Sequence, residues 1–268
     1  MNTTTIDVEK IIKDKNPGLY HLLPGFIIRY LKRIVHEDEM NHFLQNHGQK
    51  KDFEFLTAVL DEFKPKINIE GLENIPEKGG AILAANHPLG GLDAITLMLL
   101  VSTRRKDMKY LVNDILMNIK PLENLFVPIN KHGRNNTKSL GDINSTYASD
   151  QLVLVFPAGL VSRQINGEVR DLEWKKSFVT QAKKYQKPII PVYISGSLSP
   201  FFYRLSRWRS KIGIAANIEM LYLVDEMYKQ KGKQINITVF PPIDVSNSSE
   251  KDMQIATNIR NLIYQSSK

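Results

Sequence analysis

A histidine and an aspartate frame a turn-forming segment, Asn-His-Pro-Leu-Gly-Gly-Leu-Asp, that runs from Asn86 to Asp93. A hydroxyl group is a weak nucleophile at neutral pH, and histidine is suited to act as the base that removes its proton. A carboxylate bonded to the other ring nitrogen would fix the tautomer and stabilise the imidazolium. The segment therefore predicts a general-base pair of His87 and Asp93. The alternative is a helix-capping aspartate beside a loop histidine that has no chemical role.

The position of this segment favours the chemical interpretation. It follows an apolar strand predicted over Ala81–Ala85 and precedes a helix that begins near Asp93. Ligands of open α/β sheets bind at the carboxyl ends of the strands. Pro88, Gly90 and Gly91 allow a tight turn that could bring the aspartate back to the imidazole.

Three more segments lie at the ends of predicted strands. Phe156–Arg163 contains a Pro-x-Gly turn and a cation, which together could hold an anionic head group or a developing oxyanion. The alternative is a strand-ending turn with a surface arginine. The segments 127–134 and 190–196 are weaker signals alone, but all of these segments share a position at strand ends.

Short β-branched runs alternate with helical stretches from about residue 65 onward. This alternation predicts an α/β layered domain whose mixed, mostly parallel sheet has about seven strands flanked by helices. We expect residues 65–268 to form this domain and residues 1–64 to form an N-terminal helical extension. The predicted strands are Lys66–Glu70, Ala81–Ala85, Lys109–Val112, Leu125–Ile129, Leu152–Phe156, Ile189–Ile194 and Ile235–Phe240. The predicted helices of the domain are Asp93–Thr103, Lys175–Lys184 and Glu250–Tyr264.

The stretch between Leu19 and Val35 has apolar residues at helical spacing and basic residues expected on the other face, with a break near Pro24. Such a helix could lie in a membrane interface or pack on the domain core. The segment from Phe201 to Arg209 is also aromatic and basic, which suits either contact with lipid or stacking on nucleic acid. Trp174 beside two lysines is interpreted as a partly buried residue at a helix start.

Composition narrows the classes of partner. The net charge of +8 and the pI of about 9.4 favour an anionic partner, either a membrane surface or a nucleic acid. The chain has no cysteine, which excludes a disulfide framework, a thiolate zinc site and a cysteine nucleophile. We see no leader segment and no apolar run long enough to span a membrane.

Four ordered blocks resemble those of the lysophospholipid acyltransferase superfamily, which includes 1-acylglycerol-3-phosphate acyltransferase. They are Asn86–Asp93, Pro128–Lys131, Phe156–Arg163 and Ile190–Gly196, and the resemblance spans residues 65–245. It implies that His87 is the base and Asp93 its partner. It also implies a site for the acceptor or the acyl thioester, with substrate contacts expected at Asn86, Lys131, Gly159 and Arg163.

The chain departs from the family pattern at several positions. Five residues separate the histidine from the aspartate, where the family has four, and Lys131 stands where arginine is usual. Ala158 and Val161 replace the glutamate and arginine that other members associate with a glycerophosphate acceptor. The whole string resembles a bacterial, hemolysin-like branch. Some relatives of that branch acylate amino-acid lipids such as lyso-ornithine or lyso-glycine lipid.

The resemblance therefore implies a lysolipid O-acyltransferase with a lyso-aminolipid acceptor. Acyl-acyl carrier protein or acyl-CoA would donate the acyl chain, and no metal or cofactor is expected. We expect a peripheral or monotopic protein on the cytoplasmic face of the inner membrane, without a nucleic-acid partner. The alternatives are lysophosphatidate acylation and a lipid-binding protein that has lost catalysis.

Overall fold

A seven-stranded sheet organises the chain in the computed structural model, which describes residues 5–129 and 137–265. Its strands lie in the order β1-β9-β8-β2-β5-β3-β4, and β6 and β7 form a separate hairpin. The strands are β1 (Lys66–Glu70), β2 (Ala81–Ala85), β3 (Met108–Asn113), β4 (Phe126–Ile129), β5 (Leu152–Val155), β6 (Arg163–Ile165), β7 (Glu168–Arg170), β8 (Ile189–Ile194) and β9 (Gln234–Val239).

Strand direction places five carboxyl ends at one edge of this sheet. Strands β8, β2, β5, β3 and β4 are mutually parallel, whereas β9 runs antiparallel to β8 and β1 runs parallel to β9. Helical segments connect the parallel strands, since a parallel pair needs a crossover connection. The predicted mixed, mostly parallel sheet of seven strands flanked by helices is confirmed.

The described residues also form eleven α-helices. They are α1 (Val8–Lys15), α2 (Pro17–Leu22), α3 (Gly25–Ile34), α4 (Glu37–His47), α5 (Asp52–Phe63), α6 (Gly91–Ser102), α7 (Thr137–Ala148), α8 (Ser177–Tyr185), α9 (Pro200–Lys211), α10 (Leu223–Tyr228) and α11 (Asp252–Gln265). Short 3₁₀ helices occur at Leu72–Asn74, Asp114–Asn118, Lys120–Leu122 and Ile218–Tyr222. In the described part of the chain, no helix combines the length and apolar character needed to cross a bilayer.

Strand β2 shows why the sheet is covered on both faces. All five of its residues are buried, and they alternate between two hydrophobic clusters. Leu83 packs in the cluster that includes α5 and α6, whereas Ile82 packs in the cluster that includes α8 and α11. An uninterrupted apolar strand is typical of a parallel sheet with helices on each side.

The N-terminal helices differ in how they meet this core. Helix α5 buries Phe55, Leu56 and Phe63 in the core beside α6, although it precedes the division predicted at residue 64. That division stays a prediction. Helix α3 instead exposes Phe26 and Tyr30 and buries Ile28 and Ile34 against the protein.

The prediction that the basic residues of α3 lie on the face opposite its apolar residues is wrong in one respect. Arg29 and Arg33 share the exposed face with Phe26 and Tyr30, because these four positions are spaced by three or four residues. The exposed face is therefore aromatic and basic together.

Candidate active site

The imidazole of His87 and the carboxylate of Asp93 are in hydrogen-bonding contact, with 3.0 Å between Nδ1 and Oδ2. The backbone N–H of Leu89 donates to the same Oδ2 atom at 2.8 Å. Because the carboxylate oxygen accepts, Nδ1 carries the proton and the lone pair lies on Nε2. The five-residue spacing thus permits the pair that the sequence predicts.

The turn between these two residues explains how the longer spacing is accommodated. Gly90 adopts a φ of 74°, a region that side chains other than glycine rarely occupy, and helix α6 begins at the next residue. Leu89 points toward Gly196 at the end of β8. A Cβ atom at position 196 would lie 2.6 Å from the Leu89 side chain, so this glycine makes room for the turn.

One aromatic ring stacks on the imidazole of His87, and a second ring packs against the first. The His87 and Phe156 rings are stacked with 4.2 Å between centroids, and Tyr110 meets Phe156 edge-on at 5.6 Å. Phe156 directly follows β5, the neighbour of β2. The side chain of His87 remains 16% exposed, which leaves it accessible to a substrate.

Asp93 is fully buried, and burial raises the pKa of its carboxyl group. The hydrogen bonds from His87 and from the Leu89 N–H oppose this shift. Within the described residues, its Oδ1 atom has no hydrogen-bond partner. A buried carboxylate with so little compensation gains most when a positive charge forms on the imidazole, which is the event that general-base catalysis requires.

The side chain of Asn86 makes hydrogen bonds within the protein, and its role in substrate binding stays a prediction. Its side-chain amide donates to the carbonyl of Ile194 at 2.9 Å, and its side-chain oxygen accepts from the Ile194 N–H at 2.6 Å. Asn86 is only 2% exposed. It ties the end of β2 to the end of β8 and so positions the residue that follows it.

The side chain of Arg163 also makes contacts within the protein, and its role in substrate binding stays a prediction. Its guanidinium group donates to Glu219 at 2.8 Å and to the carbonyl of Val161 at 2.7 Å, and it lies over the Phe202 ring. Arg163 is buried, and its guanidinium group joins the loop after β5 to helix α9. Its charge is neutralised by Glu219.

Gly159 lies in the turn after β5 with a φ of 68°. Its N–H donates to the carbonyl of Phe156 at 2.9 Å, and its role in substrate binding stays a prediction. Lys131 lies outside the described residues. No group of three or more histidine and acidic side chains suited to a metal ion occurs within residues 5–129 and 137–265.

Sequence reasoning missed Asp171, a fully buried carboxylate that contacts the main chain of His87. It also missed the β6–β7 hairpin that leads to this residue. One signal was present in the sequence, because Asp171 and Trp174 are three residues apart. In the structure, the indole N–H of Trp174 donates to the Asp171 carboxylate at 2.8 Å.

Comparison with known proteins supports the chemistry of this site. Residues 10–265 match the family model described as Acyltransferase. A lyso-glycine lipid O-acyltransferase from Phocaeicola vulgatus is 40% identical over 263 residues, covering 97% of this chain and 94% of that protein. A protein of the same name from Bacteroides thetaiotaomicron is 40% identical over 264 residues, covering 97% of each chain.

Among solved structures, the 1-acyl-sn-glycerophosphate (LPA) acyltransferase PlsC from Thermotoga maritima matches with a TM-score of 0.49. Its sequence identity is 18%, and the match covers 90% of this chain and 91% of that chain. The family model and the two curated relatives extend over nearly the whole sequence and confirm the prediction made from the four blocks. The chain belongs to the acyltransferase family and is an acyltransferase.

Proposed function

We propose that this enzyme transfers a fatty-acyl chain from an acyl thioester to the hydroxyl group of a lyso-glycine lipid. The observation that carries the proposal is the contact of 3.0 Å between His87 Nδ1 and Asp93 Oδ2 at the carboxyl ends of the parallel strands. This pair provides a base for a hydroxyl nucleophile and requires no covalent enzyme intermediate.

The proposed reaction moves one proton through His87. The acceptor hydroxyl donates its proton to Nε2 while its oxygen attacks the thioester carbonyl, and Asp93 stabilises the imidazolium that results. The tetrahedral intermediate then collapses, the new ester forms, and the carbon–sulfur bond breaks. The imidazolium returns its proton to the departing thiolate, so the enzyme ends each turnover unchanged.

Two observations support an aminolipid acceptor. The curated relatives, at 40% identity, are named lyso-glycine lipid O-acyltransferases. In addition, Ala158 and Val161 are buried, at 7% and 1% exposure, and they pack in hydrophobic clusters. The two positions where a glycerophosphate-binding site would place charged side chains are therefore closed to a phosphate group.

The donor we propose is acyl-acyl carrier protein or acyl-CoA, with no metal or cofactor. A thioester is sufficiently activated that the enzyme needs to supply only a base, orientation and stabilisation of the oxyanion. Backbone N–H groups near Gly159 and the cation of Lys131 remain the proposed source of that stabilisation.

A membrane surface is the proposed partner that presents the lysolipid. Five side chains from α3, α9 and the 218–222 segment form what we call the aromatic surface, namely Phe26, Tyr30, Phe201, Leu221 and Tyr222. The hydroxyl groups of Tyr30 and Tyr222 lie 2.8 Å apart, and the rings of Phe201 and Tyr222 are 4.9 Å apart. These contacts join Tyr30, Phe201 and Tyr222 across three elements, and Phe26 and Leu221 are exposed on two of the same elements.

Exposed cations accompany this patch. Arg29 and Arg33 lie on α3, and Arg204 and Arg207 lie on α9. Aromatic side chains with arginines beside them suit the interface of an anionic bilayer. We propose a peripheral or monotopic attachment to the cytoplasmic face of the inner membrane, and no nucleic-acid partner.

The test offers labelled acyl-acyl carrier protein or acyl-CoA to the enzyme with lyso-glycine lipid, lyso-ornithine lipid or lysophosphatidate in mixed micelles. We expect ester formation on lyso-glycine lipid, and a loss of about 10²- to 10⁴-fold in His87→Ala. His42→Ala, a change at an exposed helical histidine, is the matched control and should keep full activity.

Each other outcome has a definite meaning. Transfer only to lysophosphatidate would replace the acceptor with a glycerophosphate. Transfer that persists in His87→Ala would remove the general base from the mechanism. Binding of lipid without transfer to any acceptor would favour a protein that has lost catalysis.

A further inference from the structure

A second buried carboxylate lies beside His87, where it contacts the main chain and not the imidazole. Asp171 is fully buried, and its Oδ1 accepts from the backbone N–H of His87 at 3.1 Å and from the Ser162 hydroxyl at 2.5 Å. Its Oδ2 accepts from the Trp174 indole N–H at 2.8 Å. Three donors thus converge on one carboxylate, and one of them is the main chain of the general base.

The main chain of His87 is held on both sides by this arrangement. Its carbonyl accepts from the Ser162 N–H at 2.8 Å, and Ser162 itself donates its hydroxyl to Asp171. Asp171 is anchored in turn, because its N–H donates to the Tyr264 hydroxyl at 2.8 Å and its carbonyl accepts from Arg260. The motif loop after β5 and helix α11 are therefore both connected to the backbone of the base.

We infer that Asp171 is a positioning residue for acyl transfer, acting through its hydrogen bond to the backbone N–H of His87. The inference rests on the proposed function, because it concerns the same base. Asp93 orients the imidazole through the side chain, and Asp171 fixes the peptide unit from which that side chain extends.

The loop between His87 and Asp93 explains why a hydrogen bond between Asp171 and the His87 backbone should affect the rate. Five residues, two of them glycines, separate His87 from Asp93, and glycines leave a backbone many conformations. A rotation of the His87 peptide unit would move the imidazole away from Asp93 or from the acceptor hydroxyl. A displacement of about 1 Å at a reacting group costs roughly 100-fold in rate.

The substitution Asp171→Asn separates geometry from charge. The new amide has one oxygen and one NH₂ group, so one of the two sides of the side chain must place a donor against a donor. If the oxygen stays with His87, the NH₂ group meets the indole N–H of Trp174. Adding Trp174→Phe removes that conflict and lets the amide oxygen keep the bond to the His87 backbone.

We expect Asp171→Asn to lower kcat by roughly 10- to 100-fold with KM for both substrates within about twofold. The double change Asp171→Asn with Trp174→Phe should recover kcat to within about threefold of Trp174→Phe alone. Asp107→Asn is the matched control. That aspartate pairs with Arg105 beside the amino end of β3, at the opposite edge of the sheet, so the control should lower the melting temperature and leave kcat unchanged.

The result that overturns the inference is a double variant as slow as Asp171→Asn, because charge would then be the cause. A loss of kcat in Asp171→Asn no greater than in Asp107→Asn, or a change confined to KM, would overturn it as well.

A second readout requires no turnover. The proton on Nδ1 of His87 can be followed by NMR and assigned by its absence in His87→Ala. We expect it in the wild-type protein and Asp107→Asn, broadened or lost in Asp171→Asn, and restored in the double variant. If the wild-type enzyme acylated no acceptor, the proposed function would fail, while these spectra would still decide whether Asp171 positions His87.

Discussion

Two fully buried carboxylates, Asp93 and Glu219, occupy opposite electrostatic situations in this enzyme. Glu219 accepts one hydrogen bond from Arg163 at 2.8 Å and two from Arg209 at 2.5 and 3.0 Å. Asp93 accepts from His87 and Leu89 through one oxygen only, and its other oxygen has no partner within the described ranges.

The pKa directions follow from these contacts. Burial raises the pKa of Asp93, and the bond from His87 does not cancel the shift. Burial also acts to raise the pKa of Glu219, but the hydrogen bonds and charges of Arg209 and Arg163 lower it overall. At Glu219, the buried carboxylate is paired with two arginines and contributes to stability. At Asp93, the buried carboxylate has no cationic partner until the reaction places a proton on His87.

The largest effect that tests this comparison is the loss of activity in Asp93→Asn. The asparagine oxygen can still accept from the Leu89 N–H, but it cannot neutralise an imidazolium, so we expect kcat to fall by roughly 10²- to 10⁴-fold. Because the change removes a buried and poorly compensated charge, the melting temperature at pH 8 should equal or exceed that of the wild type. Calorimetry and acyl-transfer assays on the same preparation measure both quantities.

Asp107→Asn again serves as the matched control, since it alters an aspartate that pairs with a buried arginine far from the imidazole. A melting temperature that falls in Asp93→Asn by as much as in this control would mean that Asp93 stabilises the fold, and the contrast with Glu219 would be lost.

Glu219→Gln should have the opposite profile. Removing this carboxylate leaves the buried Arg163 and the half-buried Arg209 without their counter-charge, which typically costs about 3 kcal/mol of stability or more. The kcat of the folded enzyme in detergent should stay within about threefold of the wild type. Chemical denaturation measures the loss, and Glu62→Gln, at an exposed pair with Lys231, should cost no more than about 1 kcal/mol.

The contributions of the two carboxylates to stability should change with pH in opposite directions. Asp93 has a raised pKa in the folded state, so above its ordinary value of 3.8 the folded state binds more protons than the unfolded state. The free energy of unfolding of the wild type relative to Asp93→Asn should therefore fall as pH rises from about 4. His87 and Asp171 face Asp93 and remain in both proteins.

Glu219 has a lowered pKa, so its contribution is complete above its ordinary value of 4.5 and is lost as pH falls through the folded-state pKa. Relative to Glu219→Gln, the wild type should gain stability as pH rises toward 4.5 and then level off. Urea denaturation from about pH 3 to pH 8 measures both differences, with the Glu219 slope below pH 4.5 and the Asp93 slope above about pH 4; slopes of the same sign would contradict the comparison.

Much of the fold could be predicted from the sequence because each central strand is a short apolar run followed by a turn signal. The bounds of β1, β2 and β8 agree with the prediction to the residue. The β6–β7 hairpin was missed, since its strands are three residues long and partly exposed. Such short strands depend on tertiary contacts rather than on a pattern.

The residues of the site also fall into those that the sequence predicts and those that depend on contacts distant along the chain. His87 and Asp93 could be paired from the sequence because both lie in one turn, and proximity along the chain does most of the positioning. Motif position does not reveal where a side chain points, so the internal contacts of Asn86 and Arg163 were not predicted. Asp171 was missed, since its bond to His87 joins residues 84 positions apart.

The smallest expected effect concerns the aromatic surface, part of which lies on the 218–222 segment that contains Glu219. Leu221 is 52% exposed and lies two residues after Glu219, so the Arg–Glu–Arg cluster fixes the segment from which it projects. Leu221→Glu removes apolar contact and adds a negative charge beside anionic lipid. We expect roughly 10- to 30-fold weaker binding to phosphatidylglycerol vesicles in a flotation assay.

Met253→Glu, at an exposed apolar residue of α11, is the matched control and should bind as the wild type does. The kcat of Leu221→Glu on lysolipid dispersed in micelles should be unchanged, because the residue lies outside the His87 site. Equal losses of binding in both variants would mean that net charge alone governs attachment. The segment held by Arg163, Glu219 and Arg209 would then have only a structural role, with no separate role in lipid contact.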